Sequence, residues 1–393
     1  PVVSMQAWVK TGSAREKTGE IGMAHVLEHM LFKGTETRGV GEIAREVEVA
    51  GGEINAYTSW DTTVYYINMA SRFMDKGIDI LADLVGAAIF DPEELAKETL
   101  VILEEIRRGK DLPSRKLSEA FYGKAYTVHP YGRPVIGYEE TVREFTREGL
   151  VAFYRKWYVP ENMVWVMTGD LDIEELLPKL EARLSRLPNR PAAVRVQTID
   201  PVQTEPRILV ISDEVRESHL KIGFHIPGID DPDVPALDLL AAILGDGKSS
   251  RLYQKFRMKQ RLVNSIFAYA MTPKDPGLFI VGAQLESKEL EQALPEILGT
   301  VFDSAIEPIR PEELKTAKAK IESDFIYQME TVQGQARQLG YYAGTTGDLD
   351  FGRQYLEQIR SASVADILLV ARAYLRPGNM TVALLLPRSA EGA

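Results

Sequence analysis

The stretch Trp157-Tyr158-Val159-Pro160-Glu161-Asn162-Met163 leads into an apolar run, Met163 to Thr168. A close copy, Tyr374-Leu375-Arg376-Pro377-Gly378-Asn379-Met380, leads into another apolar run 217 positions later. The same spacing of 217 relates Ile80-Leu81 to Ile297-Leu298, and a spacing of 219 relates the helix start Pro92-Glu93-Glu94-Leu95 to Pro311-Glu312-Glu313-Leu314. The run ending at Gly12 parallels the run ending at Gly228, 216 positions on. Four matches in nearly one register identify a domain used twice. Between the copies, residues 187–206 carry four prolines and no helical apolar period, the composition of a linker. The sequence therefore divides into a first domain, 1–190, a linker, 191–206, and a duplicated domain, 207–393.

Within each copy, short alternating runs such as Ile54 to Tyr57 and Thr63 to Ile67 sit among longer helical stretches such as Phe73 to Phe90 and Ile173 to Leu187. The strand Thr62 to Ile67 follows Asn55 to Thr58 across a short turn at Ser59 to Asp61, which is hairpin spacing. Hairpins with segregated helices predict an α+β fold of two tandem homologous domains, each a largely antiparallel sheet packed with helices. The second copy opens with an extra strand, Ile208 to Ser212. At the repeat spacing its first-copy counterpart falls before Pro1, so the expectation is that the first copy's opening strand lies upstream of this numbering.

Composition narrows the chemistry. The chain has 393 residues, 57 acidic against 46 basic, and a formal charge of −11 with no basic block. Nucleic acid and anionic membrane are thereby disfavoured as partners, since both need clustered Lys and Arg. No window reaches the roughly 20 apolar residues of a membrane span, so a soluble protein is expected. With no cysteine, there is no disulfide framework, thiol nucleophile or Cys-ligated metal. Chemistry falls to carboxylates, hydroxyls, amines and five histidines.

Gly22-Met23-Ala24-His25-Val26-Leu27-Glu28-His29-Met30-Leu31-Phe32-Lys33-Gly34 reads as a helix with Gly34 as its C-terminal cap. His25 and His29 are four apart, so both imidazoles leave one face and can grip one metal ion, with Glu28 beside them. Phe32 lies one turn further along. The other faces are apolar, and two histidines and a carboxylate in such a helix are costly unless paired or metal-bound. H-x-x-E-H is a zinc-hydrolase signature.

Catalytic zinc takes three protein ligands and keeps a fourth position open. The segment Asp91 to Gly109 predicts a helix, with Asp at the N-cap, Pro at the first position, acids in the first turn and arginines in the last. Glu98 and Glu105, seven apart, share one face with Glu94, and spacing alone does not choose the ligand among them.

H-x-x-E-H followed by the second Glu of an E-x6-E helix resembles the M16 peptidases, the family of insulin-degrading enzyme, pitrilysin and the mitochondrial processing peptidase. The resemblance extends to Gly-Gly-Glu-Ile-Asn-Ala-Tyr-Thr at 51–58, His129-Pro130-Tyr131-Gly132, and Ser250-Arg251-Leu252-Tyr253. It implies the M16/LuxS-like metallohydrolase fold, one zinc ion per chain held by His25, His29 and Glu105, and Glu98 orienting the site from behind. It also implies that Asn55 and Ala56 lie on an edge strand to which an extended peptide adds. Phe32 and Tyr57 are candidates either for a side-chain pocket beside the zinc or for core. Zinc chemistry then gives Glu28 the role of general base.

The second copy lacks the motif: Asp324 stands where Glu105 would repeat and Ala317 where Glu98 would. In the family a second-half Arg and a Tyr seven residues later assist substrate and transition state. Arg257 keeps that place, whereas Asn264 stands at the Tyr position. The resemblance thus implies a zinc endopeptidase of unstructured peptides, working as a homodimer or with a second M16 subunit or half in the bacterial cytoplasm or periplasm. The alternative is a weakly active or inactive binding or assembly subunit that needs an Arg/Tyr-bearing partner. His129, His219 and His225 read as structural. Gly247-Lys248-Ser249 lacks the earlier glycine of a phosphate loop.

Overall fold

The computed structural model describes residues 1–185, 187, 188 and 190–388. In chain order the elements are β1 (Val2–Val9), α1 (Met23–Leu31), α2 (Glu42–Val49), β2 (Glu53–Thr58), β3 (Thr63–Ala70), α3 (Met74–Gly86), α4 (Pro92–Lys110), α5 (Pro113–Ala125), α6 (Glu139–Arg143), α7 (Arg147–Trp157), β4 (Met163–Gly169) and α8 (Ile173–Leu184). They continue with β5 (Arg207–Asp213), β6 (Ser218–Ile226), α9 (Val234–Gly245), a π-helical segment Tyr253–Lys259, β7 (Ser265–Met271), β8 (Gly277–Leu285), α10 (Leu290–Asp303), α11 (Pro311–Gln328), α12 (Val332–Thr345), α13 (Phe351–Ser361), α14 (Val364–Tyr374) and β9 (Met380–Pro387). This is the expected α+β architecture.

One sheet runs β2-β3-β1-β4, antiparallel throughout. The other runs β5-β9-β6-β8-β7, with β5 parallel to β9 and the rest antiparallel. Without β5, the second order repeats the first strand for strand, as a duplication requires. The extra strand lies on the free edge of β9. The matching edge of β4 carries no strand among the described residues.

The chain forms two compact units that interleave along the sequence. Among the described residues, one comprises Pro1–Arg108, His129–Thr198 and Tyr327–Leu349; the other comprises Gly109–Val128, Ile199–Ile326 and residues 350–388. The repeat and the compact units part company at two helices. Although α5 belongs to the first copy, it packs in the second unit; α12, from the second copy, packs in the first.

In the first unit, β1 is buried on both faces. Val3, Met5, Ala7 and Val9 join α1 and α3 in the main core, while the alternate residues Gln6 and Trp8 face α12. Trp8 sits where α12 offers only glycine: a Cβ on Gly340 would lie 2.1 Å from the indole nitrogen. In the second unit, Leu220, Ile222, Phe224 and Ile226 of β6 join the core with α9 and α10. The other face of β6 meets α5, with Lys221 Nζ 2.8 Å from Ser118 Oγ.

Strand pairing makes Gly223 the counterpart of Trp8. Trp8 pairs with Val64 and Val164, and Gly223 pairs with Ile280 and Thr381. A Cβ on Gly223 would come within 2.3 Å of the Phe121 ring of α5. The same contact is therefore filled in opposite senses. In the first unit the sheet supplies the large side chain and the helix the gap; in the second the roles reverse.

Among the described residues, no helix is long and apolar enough to cross a membrane.

Candidate metal centre

Nine residues make α1, too few for an isolated helix in water. Burial holds it: Met23, Ala24, Val26, Leu27, Met30 and Leu31 are at most 4% exposed. Burying the four larger aliphatic side chains alone favours folding by on the order of 10 kcal/mol. The helix begins at Gly22 with φ of 100°, a left-handed conformation that suits glycine. Its first donors are taken by a carboxylate from outside the helix. Glu16 Oε2 accepts from Gly22 N–H at 2.9 Å and Oε1 from Ala24 N–H at 2.7 Å. Burial pushes the Glu16 carboxyl up to about 8 even against these two donors. The helix ends at Leu31, with Phe32 at the C-cap; Gly34 follows at φ of 115° rather than capping the helix itself.

The His25 and His29 rings lie 4.7 Å apart between centroids. Helix α4 brings the third donor. Its start is capped as its sequence predicts, with Asp91 Oδ1 accepting from Glu93 N–H at 2.8 Å. Two turns apart on one face, Glu98 and Glu105 take different places. Glu105 Oε2 lies 3.8 Å from His25 Nε2 and 3.9 Å from His29 Nε2. Glu98 Oε2 lies 3.0 Å from His29 Nδ1, and its other oxygen is 2.6 Å from Lys33 Nζ. A carboxylate only accepts, so His29 Nδ1 carries the proton and the Nε2 lone pair is directed toward Glu105.

His25, His29 and Glu105 each offer a donor atom, all within 4.8 Å of one another. Tetrahedral zinc with bonds of about 2.0–2.1 Å separates its ligands by roughly 3.3 Å, so modest side-chain movement completes the grip. Two neutral imidazoles and one carboxylate also match a known catalytic donor set. The residues fit the metal that the motif implies.

Glu28 points to the end of β2, where Thr58 Oγ1 donates to its Oε2 at 2.5 Å. Burial raises the Glu28 carboxyl above its usual range, and Glu105 adds to this; Thr58 and His29 act in the opposite direction. Behind it, Tyr65 and Tyr158 share a hydroxyl hydrogen bond of 2.8 Å.

Among the described residues, strand β2 is an edge strand, paired only with β3. Asn55 and Ala56 lie on it; Asn55 is exposed, and Ala56 is half-buried against the core. Phe32 is half-buried, its ring 6.3 Å from that of Tyr65. The period of two that brings Thr58 to Glu28 carries Tyr57 to the other face of the sheet, where its ring meets Trp8 at 6.1 Å. Tyr57 is thus turned away from the metal helix, with the cluster of Trp8, Val64, Val166 and Ala336. Arg257 is exposed on the π-helical segment of the second unit. Asn264 Nδ2 donates to Glu217 at 2.8 Å. His129 is 4% exposed and accepts from Tyr131 N–H, and His225 Nε2 lies 3.0 Å from Ala125 O.

Glu16, Lys33 and Thr58 are the residues that sequence reasoning passes over. Lys33 had a signal, lying four residues after His29 on the same helical course. Thr58 follows from strand alternation once its hairpin is placed. Glu16 lies in a loop outside any periodic element and had none.

Residues 1–139 match the family described as "Insulinase (Peptidase family M16)", and residues 144–321 match "Peptidase M16 inactive domain". An "Uncharacterized zinc protease" of Rickettsia felis is 32% identical over 370 residues, covering 94% of this chain and 89% of that protein. "Zinc protease PqqE" of Helicobacter pylori is 29% identical, covering 98% of this chain and 88% of that one. The crystal structure of a protease from Helicobacter pylori superposes with a TM-score of 0.92 at 28% identity over 98% of this chain and 94% of that chain. The periplasmic protease PqqL of Escherichia coli, at 21% identity and a TM-score of 0.80, shares the fold over 98% of this chain but only 45% of its own length. From the His25/Glu28/His29 helix to the duplicated second half, this chain belongs to the M16 (insulinase) family of peptidases.

Proposed function

We propose that the chain is a zinc-dependent endopeptidase whose substrates are extended, unstructured peptides. Residues 1–190 form the catalytic domain, and 207–393 a duplicate without metal. The convergence of His25, His29 and Glu105, with Glu28 beside them, carries the reading. When bound there, zinc supplies a Lewis acid and acidifies coordinated water.

The chain's own residues supply the rest. Glu98 holds the His29 ring by its Nδ1 proton and is itself held by Lys33. Thr58 fixes Glu28 through Oε2, leaving Oε1 to take a proton from the attacking water and return it to the leaving amide nitrogen. The unpaired edge of β2, with Asn55 and Ala56, offers backbone donors and acceptors to a peptide lying as a further strand beside Thr58. Phe32 lies at the C-cap of the metal helix and is a candidate for contact with a substrate side chain.

The second reading is a subunit of low activity that acts with a second M16 chain or half. It is favoured by Asn264, which stands at the family's Tyr position and is engaged with Glu217. Arg257 would contribute to substrate binding under either reading.

A quenched fluorogenic peptide assay tests the proposal, run with zinc, with chelator and with candidate partner chains. Turnover that needs zinc and disappears in Glu28→Gln supports it. Turnover that appears only with a partner chain favours the second reading, and no turnover under any partner condition despite stoichiometric zinc overturns the endopeptidase reading.

A further inference from the structure

Away from the metal, the first unit holds a cavity of about 760 Å³ lined by Trp8, Tyr57, Arg337, Gln338, Tyr341 and Tyr342 among others. It lies on the face of the β2-β3-β1-β4 sheet opposite the metal helix, beneath α12. Its walls are aromatic and polar, and no carboxylate lines it. Arg337 is exposed, and its guanidinium lies 5.5 Å from the centre of the Tyr57 ring. The guanidinium also hydrogen-bonds the Tyr57 side chain, which anchors it at the pocket, and its planar fork of five N–H donors leaves others to meet a carboxylate. None of its described contacts is an ion pair.

Position supplies the second observation. Tyr57 belongs to β2, whose outer edge is open, and its neighbour Thr58 reaches Glu28 from the other face. Successive side chains of any peptide added to that edge point alternately to the two faces of the sheet, whichever direction it runs. If one residue faces the Glu28 side, the residue next to it faces Tyr57 and Arg337.

We propose that this cavity is a specificity pocket for an acidic side chain of the bound peptide, with Arg337 receiving the carboxylate between Tyr57 and Tyr341. The proposal rests on the reading of β2 as the peptide-binding edge. It places recognition on the face of the sheet away from the chemistry, one residue out of phase with the residue lying over Thr58.

The test uses one quenched peptide scaffold in which Glu, Gln and Lys are scanned through the positions flanking the cleaved bond. It has two readouts on the full-length chain: kcat/KM with zinc, and fluorescence anisotropy of the labelled peptides on the Glu28→Gln background, which needs no turnover. At one position Glu should exceed Lys by tenfold or more. Arg337→Gln should abolish the difference, and Arg337→Glu should reverse it, a gain for the Lys peptide that misfolding cannot produce. A Glu/Lys ratio within twofold of wild type in Arg337→Glu, or no preference in either readout, overturns the pocket. Cleavage with an unchanged ratio sinks the pocket and leaves the endopeptidase reading standing. A switching anisotropy ratio without cleavage leaves the pocket standing and sinks the endopeptidase reading.

Discussion

Glu98 and Lys33 form an ion pair of 2.6 Å behind His29, and the same carboxylate reaches His29 Nδ1 at 3.0 Å. Glu98 is 6% exposed, so removal of either partner leaves a poorly hydrated group behind. Glu98→Gln should weaken zinc binding by roughly 10–100-fold, the usual cost of losing an outer-shell partner. Competition with a chelating indicator measures this. His25→Ala should abolish stoichiometric binding altogether.

Glu28→Gln should keep zinc and lose about 10²–10⁴-fold in kcat. Thr58→Val offers a finer test. The Thr58 hydroxyl favours the Glu28 anion, so removing it raises the Glu28 pKa. A general base works only when deprotonated, so the acidic limb of the kcat/KM profile should move to higher pH. A shift to lower pH would contradict the assigned hydrogen bond.

In the second unit Arg251 binds Glu313 through two parallel contacts of 2.8 Å, and this holds the Glu313 carboxyl down to about 2. A carboxylate with a depressed folded pKa stabilises above its unfolded value of 4.5 and loses that contribution as pH falls toward about 2. The pair is partly solvated, so its contribution is about 1–2 kcal/mol. Denaturant titrations should show wild type losing stability between about pH 5 and 2 more steeply than Glu313→Gln.

Gly340→Ala should destabilise by about 1–3 kcal/mol, since the added Cβ would overlap Trp8. Phe121→Ala should cost about 3–5 kcal/mol by opening a void against Gly223. A chemical denaturation midpoint for each variant decides both. The two substitutions sit in helices from opposite copies, each acting on the unit its own copy does not build.

Local patterns carried most of the fold into view. The hairpin at Ser59, the caps at Asp91 and the apolar face of α1 each depend on residues within one or two turns. The repeat register gave a second domain built on the plan of the first, whereas the strand order of the two sheets came only with the structure. The spacing of Glu98 and Glu105 put both on one face but could not rank them. What separates them is how α4 lies against α1, so that Glu105 meets both Nε2 atoms and Glu98 only His29 Nδ1, a tertiary matter that only the resemblance anticipated. Tyr57 shows the same limit. Its place on β2 was legible, whereas its side of the sheet depended on which parity faced the metal helix. The homes of α5 and α12 were not legible, because a helix's apolar stripe does not say which of two related sheets it covers.

That exchange makes the chain cross between its compact units five times, at 108/109, 128/129, 198/199, 326/327 and 349/350, with two crossings inside or at the end of α4 and α11. Scission in the proline-bearing stretch 191–198 severs one strand of a five-strand tether. The two fragments should part on a denaturing gel yet migrate together under native conditions, because each still holds a helix that the other's sheet requires.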